Sequence, residues 1–244
     1  MNNKLFIILI IFFLLKTVAY SADNEFERFI QDYSSVKCIK GNIIQYIHTN
    51  VSVEKLSGDY IAVSEGLFRI DYTEPEKQIV INNNKGLFWF YPDKNLLFFK
   101  KRELLAESVL PVNPLLNDFT RLKIVYQGIR FYSLLKYAHV YSFKMQSGNN
   151  SVKIWFDSGR RFIVRKYIID NSGREIMKEI YHKHFIADGV YIPSQIELFV
   201  RSMNGLIHTR TEYGNLSINT FPDQRMFEFD IKKNMTVREF NEVQ

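Results

Sequence analysis

Cysteine is nearly missing from this sequence. Cys38 is the only one in 244 residues, so no disulfide can form within the chain, and the fold must stand on its apolar core even in an oxidising compartment. Glycine and proline are sparse as well, at 11 and 6. They gather into no Gly/Ser/Pro-rich linker, and no internal repeat is visible, so nothing divides the chain into two domains. No apolar run reaches the roughly 20 residues that a membrane-crossing helix needs. Lys and Arg outnumber Asp and Glu by 32 to 26 but lie scattered, which leaves out the clustered basic face of a nucleic-acid binder. That balance is still compatible with weak attraction to an anionic membrane surface.

Catalytic signatures are lacking too. There is no Gly-x-Ser-x-Gly elbow, no His-Glu-x-x-His and no phosphate-cradling glycine loop. Ser34-Ser35-Val36-Lys37 fits Ser-x-x-Lys, but the two motifs that accompany it in penicillin-recognising enzymes are missing, and a surface coincidence is the simpler reading. His182 and His184 alternate along a strand pattern and would share one face, as a pair of metal ligands does; a solvated strand face explains them more simply. His48, His139 and His208 stand alone, and the acidic residues are spread through turns. The expectation is therefore no enzyme, with no catalytic residue, no metal and no cofactor.

The N-terminus carries an export pattern. Lys4 supplies a positive start, Leu5 to Leu15 an apolar run ended by Lys16, and Ala19 and Ser21 small residues at the −3 and −1 positions of a cleavage after Ser21. Residues 1–21 read as a cleavable signal peptide, with a retained anchor as the alternative. No cysteine stands just after the run to accept a lipid, since Cys38 lies far beyond the cleavage site. Residues 22–244 then form a single domain in the periplasm.

Aromatic residues are abundant, with 21 Phe and 14 Tyr making most of a 15% share. Such ring surface either lines a cavity or packs densely in an ordinary β-core. From Asp23 to Val36 the residues Phe26, Phe29, Ile30, Tyr33 and Val36 recur at three- and four-residue steps, which predicts an amphipathic helix. After Gly41 the period becomes two, in short runs separated by turn chemistry such as Glu74-Pro75, Pro92-Asp93, Asp157-Ser158-Gly159, Asp188-Gly189 and Asn204-Gly205. These predict a meander of antiparallel strands. Between Arg102 and Asp118, Glu103 to Glu107 favours helix, and Pro111 and Pro114 break it. A large curved sheet with two helical segments covering one face follows.

One stretch is more specific. Ser57-Gly58-Asp59-Tyr60 leads through Gly66-Leu67-Phe68-Arg69-Ile70-Asp71-Tyr72 and Pro75 to Gln78-Ile79-Val80-Ile81 and Leu87-Phe88-Trp89-Phe90-Tyr91-Pro92. It resembles the LolA family, the periplasmic carriers of outer-membrane lipoproteins, through Gly58, Gly66, Phe68, Arg69, Tyr72, Pro75, Trp89 and Tyr91. Asn113-Pro114-Leu115-Leu116, the turn from Asp170 to Gly173, Tyr191-Ile192-Pro193-Ser194 and Phe221-Pro222-Asp223 with Phe227 continue the likeness in order along the chain. The family's basic residue and proline before the glycine are replaced by Ser64 and Glu65, and the turn from Asn82 to Lys85 is longer than its usual Asp-Gly.

The resemblance implies a mainly β fold with helices, an incomplete antiparallel barrel covered by a helical lid. Its concave face would bind acyl chains through Phe68, Ile70, Tyr72, Ile79, Ile81, Leu87, Trp89 and Tyr91, joined by Leu115 and Leu116 of the insert, with Phe68 at the cavity mouth. Ser64, Arg69, Leu104 and Leu105 would gate it. The implied function is a carrier that shields lipoprotein acyl chains between the inner and outer membranes. Acylated lipoproteins, an inner-membrane ABC transporter of the LolCDE type and an outer-membrane acceptor would be the partners of a monomer that binds no nucleic acid. The alternative on the same fold is a periplasmic domain that senses lipids or lipoproteins.

Overall fold

A computed structural model of the chain describes residues 25–63, 66–101, 123–144, 150–202 and 205–239. Helical periodicity produces α1 (25–34), the single α-helix among the described residues. Its apolar stripe of Phe26, Phe29 and Tyr33 is buried, with Val36 just beyond.

The change to a period of two then gives β1 (Cys38–His48), β2 (Val53–Val63), β3 (Phe68–Glu74), β4 (Gln78–Asn82), β5 (Gly86–Tyr91) and β6 (Leu96–Lys101). Further along come β7 (Val125–Ser133), β8 (Lys136–Lys144), β9 (Ser151–Asp157), β10 (Phe162–Ile169) and β11 (Glu175–Tyr181). A small hairpin of β12 (His184–Ala187) and β13 (Val190–Pro193) precedes β14 (Gln195–Ser202), β15 (Gly205–Ile218) and β16 (Thr236–Glu239). Fourteen strands make one sheet in the order β16-β6-β5-β4-β3-β2-β1-β15-β14-β11-β10-β9-β8-β7, while β12 and β13 pair with each other. Neighbours are antiparallel except β16, which runs parallel to β6.

Register sorts the side chains onto two faces. Ile43 lies opposite Gly58, Gly58 opposite Tyr72, and Tyr72 opposite Gln78, so these and their alternate neighbours share the inner face. Gly58 is required there because a Cβ would sit 2.1 Å from the Asp71 carbonyl oxygen. The inner face of β8 to β11 packs under α1, where the Phe26 ring stacks on Tyr141 at 4.1 Å and meets Phe156 edge-on at 5.1 Å. A second inner cluster unites Ile43, Leu56, Tyr60, Phe68, Ile70, Tyr72, Val80 and Leu87.

On the outer face, a strap formed by residues 219–235 crosses β3 to β6. The strap's Phe229 ring lies 5.2 Å from Phe88 and 5.4 Å from Phe90, and Phe227 is buried. Arg69 Nη1 donates to the Met226 carbonyl at 3.0 Å, and Asn83 Nδ2 to the Phe227 carbonyl at 2.8 Å. Thr236 N then donates to the Asn95 carbonyl at 3.0 Å and starts β16.

The expected incomplete barrel under a helical lid is not what forms. Among the described residues the sheet ends at β16 and β7 and does not close on itself, and no helical lid is present. The physical reason lies in the covering layers: α1 covers the inner face at one half of the sheet, and an extended strap covers the outer face at the other. The insert from Arg102 to Asp118, with Leu104, Leu105, Leu115 and Leu116, lies outside the described residues, as do Ser64 and the proposed signal peptide.

Candidate functional site

The inner face of β2 to β6 is the apolar surface that the sequence singled out. Phe68, Ile70, Tyr72 and Leu87 lie on it, and so do Trp89 and Tyr91, since Val80 faces Trp89 and Asn82 faces Leu87 across β4 and β5. Ile79 and Ile81 do not. Arg69 pairs with Ile81 and Asp71 with Ile79 on the outer face, where the two isoleucines pack with Phe88, Leu97 and the strap's Phe229. The inner positions of β4 are Gln78, Val80 and Asn82.

Phe68 is 1% exposed and lies in the core, not at a mouth. Burial eases toward β6, where Trp89, Tyr91, Leu96 and Phe98 are half-buried. There the Trp89 and Tyr91 rings stack at 6.1 Å, Phe98 meets Tyr91 edge-on at 6.0 Å, and the Lys94 ammonium stands 5.1 Å from the Tyr91 ring centre. Arg69 points to the opposite side, where it forks Asp71 through Nε at 2.7 Å and holds the strap. With Lys40, Asp59 and Asn215 it lines an outer cleft of about 320 Å³. Charged side chains stand around it beside the apolar Ile61 and Met226.

A buried polar row crosses the inner face, and sequence reasoning missed it. Trp89 Nε1 donates to Gln78 Oε1 at 2.9 Å, the Tyr72 hydroxyl donates to Gln45, and Gln45 Nε2 donates to Thr211 Oγ1 at 3.1 Å. Farther along, Lys166 Nζ meets Glu179 Oε1 at 2.7 Å and the Tyr181 hydroxyl donates to the same carboxylate. Burial pushes the Tyr60, Tyr72, Tyr181 and Tyr213 hydroxyls well above the ordinary tyrosine range. They stay neutral, and those of Tyr72 and Tyr181 act as donors. The row was visible in principle, because Lys166 stands in phase with Ile168, and Glu179 with Met177 and Tyr181, at apolar positions of alternating strands.

His182 and His184 part company. His182 Nε2 lies 3.4 Å from Glu197, whereas His184 stacks on Phe162 at 3.8 Å. Among the described residues no three His, Cys, Asp or Glu side chains are placed to hold a metal ion, and no helix is long and apolar enough to cross a membrane.

No protein-family model matches the sequence, and no curated protein matches it either. Solved structures do. A DUF1329 family protein from Desulfovibrio piger superposes with a TM-score of 0.64 at 13% identity, covering 88% of this chain and 97% of that one. A LolA superfamily protein from Nitrosomonas europaea gives 0.58 at 11% identity, over 82% and 96%. A domain from Vibrio parahaemolyticus named for outer-membrane lipoprotein sorting gives 0.59 at 10% identity, over 84% and 97%. At such identities the likeness is one of architecture, and the architecture it gives this chain is a LolA-like fold.

Proposed function

We propose that the protein is a non-catalytic acyl-chain carrier of the bacterial envelope. It takes lipoprotein acyl groups from an inner-membrane releasing transporter of the LolCDE type and passes them toward an outer-membrane acceptor. The observation that carries this reading is the gradient on the inner face, from the sealed rings of Phe68 and Tyr72 to the half-buried rings of Trp89, Tyr91 and Phe98. A largely apolar core that emerges at a rim of rings offers a hydrocarbon chain an entry along which the buried polar groups, Gln78 with Trp89 and Gln45 with Tyr72, are already paired. Burying a methylene is worth about 0.8 kcal/mol, so one long acyl chain gains on the order of 10 kcal/mol. Part of that gain is offset by opening, since Phe68, Ile70 and Tyr72 pack as core in the described state and must yield to let a chain in.

The test is titration of the chain from Ala22 onward with a fluorescent fatty-acyl probe, in chelator and without nucleotide. Saturable binding is expected. Trp89→Glu, at the half-buried rim, should weaken it on the order of tenfold or more; because it also removes the donor to buried Gln78, its melting temperature should fall by a few degrees while the protein stays folded. Phe68→Glu, placing a carboxylate in the sealed core, should prevent folding. Absence of saturable binding by the parent, or equal affinity in a folded Trp89→Glu protein, refutes the reading.

A further inference from the structure

The β7–β8 hairpin ends in a two-residue turn, because Ser133 pairs with Lys136 across it. Here stand Leu134 and Leu135, 92% and 88% exposed; neither has a positive φ, so the turn neither imposes the left-handed backbone that selects Asn, Gly or Asp nor calls for leucine. Phe131 and Tyr137, the next cross-strand pair, are 72% and 45% exposed. Four large apolar side chains thus project together from one tip. Neither turn geometry nor the core accounts for them.

The tip is held firmly from behind. The Tyr132 hydroxyl donates to Asp157 Oδ2 at 2.6 Å, Arg165 Nη2 donates to the Tyr132 carbonyl at 3.2 Å, and Ala138 is sealed among Phe162, Val164, Tyr132, Trp155 and Tyr191. Its exposed flanking charges are basic: Arg130 and Lys136 on the hairpin itself and Arg160 in the adjoining turn between β9 and β10. The carboxylate beside them, Asp157, is buried and engaged by Tyr132. The β12–β13 hairpin reaches the same end of the sheet, since His184 stacks on Phe162 next to that turn, and it exposes Lys183, Phe185 and Ile186, with Asp188 as its acidic residue.

We propose that this end of the sheet is a bilayer-docking surface, with Leu134 and Leu135 inserting between lipid headgroups and Arg130 and Lys136 engaging anionic phosphate. Apolar side chains at a tip with cations behind them match the layered chemistry of a membrane interface. A protein partner fits less well, because a convex two-residue turn offers far less than the roughly 800 Å² per side of an ordinary interface. A second copy paired along the edge strand β7 fits less well too, because β7 carries register irregularities at Tyr126/Gly128 and Phe131/Ser133 that twist an edge away from pairing.

The inference is independent of acyl binding on the inner face, and its experiment keeps the two apart. The chain from Ala22 onward is floated with vesicles of equal parts phosphatidylethanolamine and phosphatidylglycerol, and with phosphatidylcholine vesicles. The parent is expected to float with the anionic vesicles, less so at high salt, and weakly with the neutral ones. The double variant Leu134→Ser/Leu135→Ser should lose on the order of tenfold or more in partitioning while keeping the parent's melting temperature and acyl-probe affinity. Leu135→Trp should keep binding and shift its emission to the blue on anionic vesicles. The proposal is overturned if the parent fails to float, if the double serine variant floats like the parent, if the Leu135→Trp emission does not move, or if the leucines instead drive a concentration-dependent dimer in the absence of lipid.

Discussion

Lys166 and Glu179 face each other on neighbouring strands where every adjacent inner position is apolar, and the Tyr181 hydroxyl completes the carboxylate's shell. Removing one partner strands a charge away from water, which costs about 3–5 kcal/mol, whereas replacing the whole group by apolar residues of similar size is near neutral. Lys166→Met or Glu179→Leu alone should therefore lower urea stability by about 3–5 kcal/mol. The triple variant Lys166→Met/Glu179→Leu/Tyr181→Phe should recover most of that loss; a triple variant less stable than both singles contradicts the argument. His184 gives a pH counterpart. Its Nε2 is buried without a hydrogen-bond partner, and desolvation, with a smaller push from Arg160 and His182, holds its pKa down at about 4. The unfolded chain binds the proton more readily, so this contribution is complete above about pH 6.5 and is lost as pH falls toward 4. His184→Phe keeps a ring against Phe162 and removes the proton. Its melting temperature should fall less than the parent's between pH 7.5 and 5, and parallel pH profiles would discard the idea.

Among the elements, the strap around Phe227 and Phe229 supplies the layer that seals the outer face of β3 to β6. Phe227→Ala should cost about 3–5 kcal/mol, as an emptied aromatic core site does. It should also expose residues 219–235 to limited proteolysis before the rest of the sheet; cleavage that begins elsewhere would place the weak point in another element. The strap also explains which parts of the site could be read from sequence. The helix ending at 34 and strands such as β3 were legible because their apolar residues keep a period, so that Phe68, Ile70 and Tyr72 share one face, which Leu87, Trp89 and Tyr91 join across β4 through the register. The phase of β4 was not legible. Ile79, Val80 and Ile81 are apolar in unbroken sequence because the strand is covered on both sides, and a run without alternation carries no phase. Gln78, buried and bonded to Trp89, is the residue that marks its inner side. The strap itself has no periodicity to announce it.

At the scale of the whole molecule, the antiparallel meander followed from spaced turns, but the division of residues 175–200 into four strands, the edge strand β16 and the covering layers did not, because pairing and burial of a sheet face are long-range properties that local periodicity does not encode. The same long range governs how the chain can assemble. β1 has β15 as its partner, and the Gln45–Thr211 hydrogen bond at the centre of the sheet joins residues 166 apart in sequence. Hairpins such as β2–β3 and β9–β10 can zip locally, but the seam that unites the two halves must wait for β15, and closing so long a loop before any contact rewards it makes folding slow. Until β15 has been made and reaches β1, the two halves of the sheet cannot join. A chain in that state is held by its local hairpins alone and stays open to anything that acts on unfolded polypeptide.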